Sequence, residues 1–341
     1  MIDETEIKNI GREFGIDQLR ISSPAPFPET AKIIQGLKRK GYYLSNEYLL
    51  KIDTEYFCNI ETRFPWAKSI IICALGYLTD EKLPQSGNGP YGLIARFTWR
   101  NNYLILKRKL KKLARFLKEN FNAQCRIFSN GPIPEKPIAQ RSGLGYYGKN
   151  GLIINHKFGS WMVLGEIVTD LELKPDPPIE DNCGECNKCI IACPTRAIIK
   201  PYIIDSTRCI QALSGWYGPV PEPIARVWGN RLYGCTTCQD VCPKNSTVKP
   251  HPPESEIGYV GPGLSLLKIL NFSEDEFRSN YAKNQLTASW VDFRAIKRNA
   301  LICLGNTKDK GFLPLLKKFT DSSDPVLART AQWAIKNLNN G

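Results

Sequence analysis

The stretch Cys183-Gly-Glu-Cys186-Asn-Lys-Cys189-Ile-Ile-Ala-Cys193-Pro194 limits what this chain can fold into more than any other. Cysteines separated by two, two and three residues, the last followed by proline, form the ferredoxin run. In that run three thiolates grip one [4Fe–4S] cluster and the fourth reaches another. A short loop can wrap a cube with three sulfurs, while the next segment turns away and carries its thiolate onward. A second cube then needs three more cysteines, which Cys209, Cys235 and Cys238 supply, and Cys242-Pro243 returns a thiolate to the first. The spacing therefore predicts cluster 1 on Cys183, Cys186, Cys189 and Cys242, and cluster 2 on Cys193, Cys209, Cys235 and Cys238. Structural zinc also uses paired Cys-x-x-Cys motifs, but it has no need of the two Cys-Pro endings. Disulfides are the third use of cysteine and belong to secreted chains.

Nothing in the sequence reads as export. The start, Met1-Ile-Asp-Glu-Thr-Glu-Ile7, has neither a basic n-region nor an apolar h-region, which predicts no signal peptide. The longest apolar runs, such as Ser69–Tyr77, are too short to span a membrane. Twelve cysteines in such a chain predict a reducing cytoplasm, where thiols serve metals. The net charge of +13, from 46 Lys and Arg against 33 Asp and Glu, suits a polyanionic partner such as nucleic acid. With His156 and His251 as its only histidines, the chain is a poor candidate for a histidine-based metal site or triad.

The 341 residues allow two or three domains, and the fold class expected is α+β. In the first segment, 1–175, apolar spacing predicts a helix over Glu4–Phe14, a strand over Gln18–Ile21 and a helix over Thr30–Lys40. Ser69–Tyr77, Cys125–Phe128 and Trp161–Thr169 read as strands. Arg96–Lys118 reads as a mostly helical amphipathic stretch with nine basic and no acidic residues, either a solvated face or a phosphate-contacting one. Cys58 and Cys73 lack partners at ligand spacing and read as core thiols. Glycines at 143, 145, 148, 151 and 159 allow tight turns or close approach to a large ligand. Gly143-Leu-Gly-Tyr-Tyr-Gly148 matches a dinucleotide fingerprint in letters only, since no βαβ unit or ribose-binding acid accompanies it. Leu173–Pro178 is a proline-rich linker, so the cluster module is expected over 176–250. Over 251–341, Arg298–Asn306 and Thr330–Leu338 read as matching helices of HEAT-like repeats with a period of about thirty residues. Phe312–Phe319 and Asp324-Pro-Val-Leu327 supply the helix and turn between them, and Cys303 falls on the apolar face.

A resemblance now emerges along the chain. Ser142-Gly-Leu-Gly, Gly148-Lys-Asn150, Gly159-Ser-Trp161 and Leu164-Gly-Glu-Ile-Val-Thr-Asp170 follow one another in order. The eight-cysteine module comes next, with Gly229-Asn-Arg-Leu-Tyr-Gly-Cys235 inside it, and Arg298-Asn-Ala-Leu opens the closing motif. Together these resemble the epoxyqueuosine reductase family. The resemblance implies a cobalamin enzyme, with 1–175 as an α/β cobalamin-binding domain, that reduces epoxyqueuosine in tRNA to queuosine. It implies the tRNA anticodon stem-loop as partner, an external one-electron donor such as flavodoxin or ferredoxin, no membrane, and a monomer. Cobalamin contacts are implied for Thr98, Ser129, Lys136, Lys149, Asn150, Gly159, Ser160 and Gln211.

The chain departs from the family at the pocket. Ser129 stands where the family carries the aspartate regarded as proton donor, in Phe128-Ser-Asn-Gly-Pro-Ile-Pro-Glu-Lys136. A serine can relay a proton but is far too weak an acid to replace a carboxyl; Glu135 is the nearby alternative. Ile210–Trp216 and Tyr103-Leu104 also differ from the family pattern. These changes leave open a second reading, a paralogue that keeps the electron path but acts on another substrate or on a partner corrinoid protein.

Overall fold

The computed structural model describes residues 4–43, 47–83 and 89–340. Two sheets organise them. The first holds β1 (Gln18–Ser22), β2 (Ser69–Gly76), β4 (Cys125–Phe128) and β5 (Met162–Thr169), and the second holds β3 (Tyr91–Ile94), β6 (Arg231–Tyr233) and β7 (Gly263–Ser265).

The first sheet runs β1-β2-β5-β4, every neighbouring pair antiparallel. All eight residues of β2 are buried, as a β-branched run covered on both faces should be. Ile71, Cys73 and Leu75 face one core with Ile7 of α1 (Glu4–Glu13) and Leu106, Leu110 and Leu113 of α2 (Asn102–Phe121). Ile70, Ile72 and Ala74 face the other, with Ile138 and Ala139 of α3 (Glu135–Arg141). The result is helix, sheet, helix.

The basic stretch divides as its capping chemistry requires. Arg96–Thr98 forms a 3₁₀ turn, and the Asn101 side chain accepts the Leu104 N–H to start α2. Leu106, Leu110, Leu113 and Leu117 are fully buried, while Lys107, Arg108, Lys111, Lys112, Arg115 and Lys118 stay exposed. Gly165 of β5 lets this helix lie close on the sheet, because a Cβ there would stand 2.8 Å from Leu110.

The second sheet draws one strand from each sequence segment. β6 pairs parallel with β3, and β7 pairs antiparallel with it. Its core joins Ile94 and Trp99 to Leu213, Trp228 and Leu232, and to Leu266, Ile296 and Leu301. Eleven of the thirteen residues of α5 (Phe293–Gly305) are buried there, Cys303 among them. Asp324 does not form a turn between helices as expected. It caps α6 (Pro325–Asn339) by accepting the Val326 and Leu327 N–H groups at 2.9 and 3.2 Å, with Pro325 in the first turn. The Leu173–Pro178 linker is pinned, since Asp176 accepts from Lys8 at 2.6 Å and from the Ile21 N–H at 2.8 Å.

Gly165→Val, which pushes α2 off the sheet, is expected to destabilise the chain by about 1–3 kcal/mol. Lys112→Ala on the exposed face should shift stability by less than about 0.5 kcal/mol. Thermal melts of the two variants check this.

Candidate functional site

The cysteine module is built from short turns and short helices. The Cys186 N–H closes the first turn onto the Cys183 carbonyl at 3.1 Å, and Asn187 leads into the short helix Lys188–Ala192. Burial raises the Cys189 thiol, and the negative charges of Cys183 and Cys242 raise it further. Burial likewise raises Cys242, with Cys183 and Cys186 adding to it. In the second group burial raises Cys209, helped by Cys235 and Cys193. Cys238 is raised by burial and then by Cys209, Cys235, Cys189 and Cys193. Cys193 is the exception. Burial would raise it, but the Thr195 hydroxyl and backbone N–H groups, the Ala197 N–H at 3.2 Å among them, hold it below an ordinary thiol.

These mutual influences divide the eight thiols as the spacing does, with Cys238 also within reach of Cys189. Four thiolates so placed repel one another unless a cationic core lies between them, and N–H groups aimed at sulfur suit such a cluster. The chemistry of the donor set fits two iron–sulfur cubes. Cys58, Cys73 and Cys303 stand apart, buried in the cores at 2%, 0% and 1% exposure.

Several residues expected around cobalamin join the cluster module to the first sheet. Lys149 Nζ donates to the Gly184 carbonyl at 2.7 Å and to Asn187 Oδ1 at 3.1 Å. Asn150 Nδ2 reaches the Cys238 carbonyl at 3.5 Å. Ser160 Oγ accepts from Gln239 Nε2 at 3.1 Å and from Asn245 Nδ2 at 2.9 Å, and its N–H donates to Asn245 Oδ1 at 2.7 Å. Gly159 takes φ 54°, and a Cβ there would run into Asn245. Gln211, on α4 (Ile210–Gly215), accepts the Cys235 N–H at 3.2 Å. Thr98 is fully enclosed, and its Oγ1 has no partner.

Ser129 and Lys136 lie apart from that seam. Ser129 Oγ donates to the Leu164 carbonyl at 3.2 Å, and Lys136 Nζ donates to the Gly151 carbonyl at 2.8 Å. Lys136 keeps exposed surface, yet surrounding protein lowers its ammonium pKa against the charges of Glu135, Cys209 and Cys238. Lys136 is thus an exposed ammonium on α3, close to Glu135 and to the ligand candidates of cluster 2. Tyr103 joins it from α2: burial raises its phenol, and the charges of Glu135, Tyr77 and Tyr233 add to the effect.

Two carboxyls in this region were not singled out as a pair by sequence. Burial pushes Glu135 up to about 7, although the Gly131 and Asn130 N–H groups and Lys136 pull the other way. Glu166 on β5 is fully buried, and both its oxygens lack a hydrogen-bond partner; burial, then the Glu135 charge, push it well above the carboxylate range. One signal in the sequence could have found Glu166. Alternation along β5 puts it on the same face as Leu164 and Val168, an apolar one.

Two measurements follow. Asn245→Ala strands the Ser160 N–H and the Gln239 carbonyl, so it should lower stability by about 1–3 kcal/mol in a thermal melt, with exposed Lys249→Ala as control. For Glu135, the folded pKa lies above the unfolded one. Its contribution to stability is therefore complete below the unfolded value and is lost as pH rises through about 7. Across that window the melting temperature should fall less steeply in Glu135→Gln than in the parent chain.

The geometry can be set beside known proteins. Residues 58–130 match the family described as epoxyqueuosine reductase QueG, and residues 182–245, which span all eight cysteines, match the 4Fe-4S double cluster binding domain. Epoxyqueuosine reductase of Bacillus cereus is 35% identical over 339 residues, 96% of this chain and 87% of its own. That of Staphylococcus aureus is 32% identical over 95% and 86%. A Bacillus subtilis epoxyqueuosine reductase, solved with its catalytic aspartate loop swung out of the active site, superposes with a TM-score of 0.89 at 33% identity, covering 98% and 90%. An epoxyqueuosine reductase solved with an epoxyqueuosine-modified tRNA stem loop gives 0.88 at 32% identity, with the same coverage. With this agreement running from the opening helix to the last, the chain belongs to the epoxyqueuosine reductase family.

Proposed function

We propose that this chain reduces the epoxide of epoxyqueuosine in tRNA to the alkene of queuosine, with two [4Fe–4S] clusters and cobalamin as cofactors. The observation that carries the reading is likeness over nearly the whole chain to epoxyqueuosine reductases, one of them solved with the modified tRNA stem loop. It outweighs the paralogue reading, because the likeness runs over 96% of the chain and not over the cysteines alone.

Releasing an epoxide oxygen as water takes two electrons and two protons. In this reading Cys183, Cys186, Cys189 and Cys242 hold cluster 1, and Cys193, Cys209, Cys235 and Cys238 hold cluster 2. Cluster 1 is the entry point for an external one-electron donor such as flavodoxin or ferredoxin, since Ile191 between two of the cysteines is 82% exposed. Cluster 2 is the delivery point, since Cys209 and Cys238 act on the exposed Lys136. Cobalamin, when bound, supplies a cobalt centre that accepts those electrons beside the substrate. Lys136 and Ser129 line that space, Thr98 offers an unpartnered hydroxyl, and Lys149, Asn150, Gly159, Ser160 and Gln211 brace its wall against the cluster loops. The exposed row Lys107, Arg108, Lys111, Lys112, Arg115 and Lys118 suits RNA phosphates, which such side chains bind without reading sequence. The C-terminal helices are read as HEAT-like repeats, and the protein as a cytoplasmic monomer. No helix among the described residues is long and apolar enough to cross a membrane.

Anaerobic reconstitution should give about eight irons per chain, the content of two four-iron cubes, with a clear fall in Cys193→Ser. Reduced, cobalamin-loaded protein should convert epoxyqueuosine-containing tRNA to queuosine, read by mass spectrometry of nucleosides. Loaded protein that binds both cofactors but gives no queuosine would end this reading.

A further inference from the structure

Glu166 is a carboxyl group in a place that tolerates no charge. Its neighbours across the sheet are Ile72 and Phe128, it has no exposure, and neither oxygen has a hydrogen-bond partner. Full burial without a partner disfavours the charged form, so the group rests as the neutral acid. A second carboxyl, Glu135, stands in the first turn of α3, next to the exposed Lys136. It accepts the Gly131 N–H at 3.1 Å and so fixes the turn that carries Ser129, where Asn130 takes a left-handed φ of 52°.

The groups facing the pair are few. Glu135 meets Lys136 on its own helix, Tyr103 from α2 and Tyr48 from the helix Glu47–Lys51. Glu166 meets Cys73 from β2 and Glu135 itself. Among the described residues the nearby cations are Lys136, whose charge is weakened by the same crowding, and Arg63, which donates to the Pro132 carbonyl of the same turn and lies over the Phe128 ring.

We propose that Glu135, walled off by neutral Glu166, is the proton source of this site, and that Ser129 lines the site without supplying the proton. The proposal rests on the reductase reading above. In the reduction, two electrons arrive through the clusters, both carbon–oxygen bonds of the epoxide break, and the oxygen leaves as water. Glu135 gives one of the two protons to that oxygen and solvent gives the other; Glu135 then recovers its proton from solvent along the accessible Lys136 side. A carboxyl is suited to this exchange and a serine hydroxyl is not, because proton donation is efficient only when the donor's acidity lies near the working pH. Glu166 is a positioning residue: uncharged, it keeps the surroundings of Glu135 apolar and so keeps the acid form available at neutral pH.

Two experiments test this. In the cluster-loaded, cobalamin-free protein, infrared difference spectra between pH 6 and pH 8 should show one carboxylic C=O band lost with a midpoint near 7. That band should disappear in Glu135→Gln and remain in Ser129→Ala. In the holoenzyme with an epoxyqueuosine-containing stem loop, Glu135→Gln should cut the single-turnover rate about 100-fold or more. Glu135→Asp should recover part of the rate with a shifted pH profile, and Ser129→Ala should lose less than about tenfold, well short of the loss for a missing general acid. Iron content and circular dichroism certify that each variant is folded. A titrating band that persists in Glu135→Gln, or a loss in Ser129→Ala as large as in Glu135→Gln, overturns the assignment. If the parent chain shows the band but turns over no epoxyqueuosine, the substrate reading fails separately from the acid.

Discussion

Mutual repulsion among sulfur anions is the constraint on which the rest of this structure depends. Burial raises the thiols of Cys189, Cys209, Cys238 and Cys242, and the charges of neighbouring cysteines add to it. Such an arrangement persists only with positive charge at its centre and with dipoles aimed at the sulfurs. The turns after Cys193 and Cys242, each opened by a proline, supply such dipoles from the backbone. The remaining architecture steadies this arrangement from outside. Gln239 and Asn245, between and beyond the last cysteines, close on Ser160 of the first domain; Gln211 closes on Cys235.

That seam explains what could and could not be read from the sequence. The octet was legible because ligand spacing is local and a cube tolerates few alternatives. The buried strands were legible for a related reason, since Ser69–Gly76 has no residue that could face water. Lys149, Asn150, Gly159 and Ser160 were named through the family resemblance. Polar atoms of Lys149, Asn150 and Ser160 also meet the cluster module, contacts far apart in sequence that no local motif announces. The start of α2 depended on Asn101 acting as a cap, and the start of α6 on Asp324; both are side-chain events that apolar periodicity does not report.

The group of side chains around Lys136 was the least legible part. Tyr103 comes from one helix, Glu135 and Lys136 from another, Tyr233 from a strand of the second sheet and the cysteines from the module. Residues from four elements share no spacing rule. Attention at the sequence level therefore fell on Ser129, whose neighbours could be aligned, while the carboxyls behind it went unpaired. Glu166 shows the general point: the oddity of a charged residue lies in its surroundings, and those exist only after folding.

The second sheet has a consequence for how this protein comes into being. Leu93 pairs with Arg231 on one side and with Gly263 on the other, so three distant stretches must meet before the sheet is complete. Pairings of such long sequence separation form late and slowly. β6 runs directly into Cys235 and Cys238, so a chain that stopped before Gly263 would carry all eight thiols of the module without the strand that completes the sheet beside them.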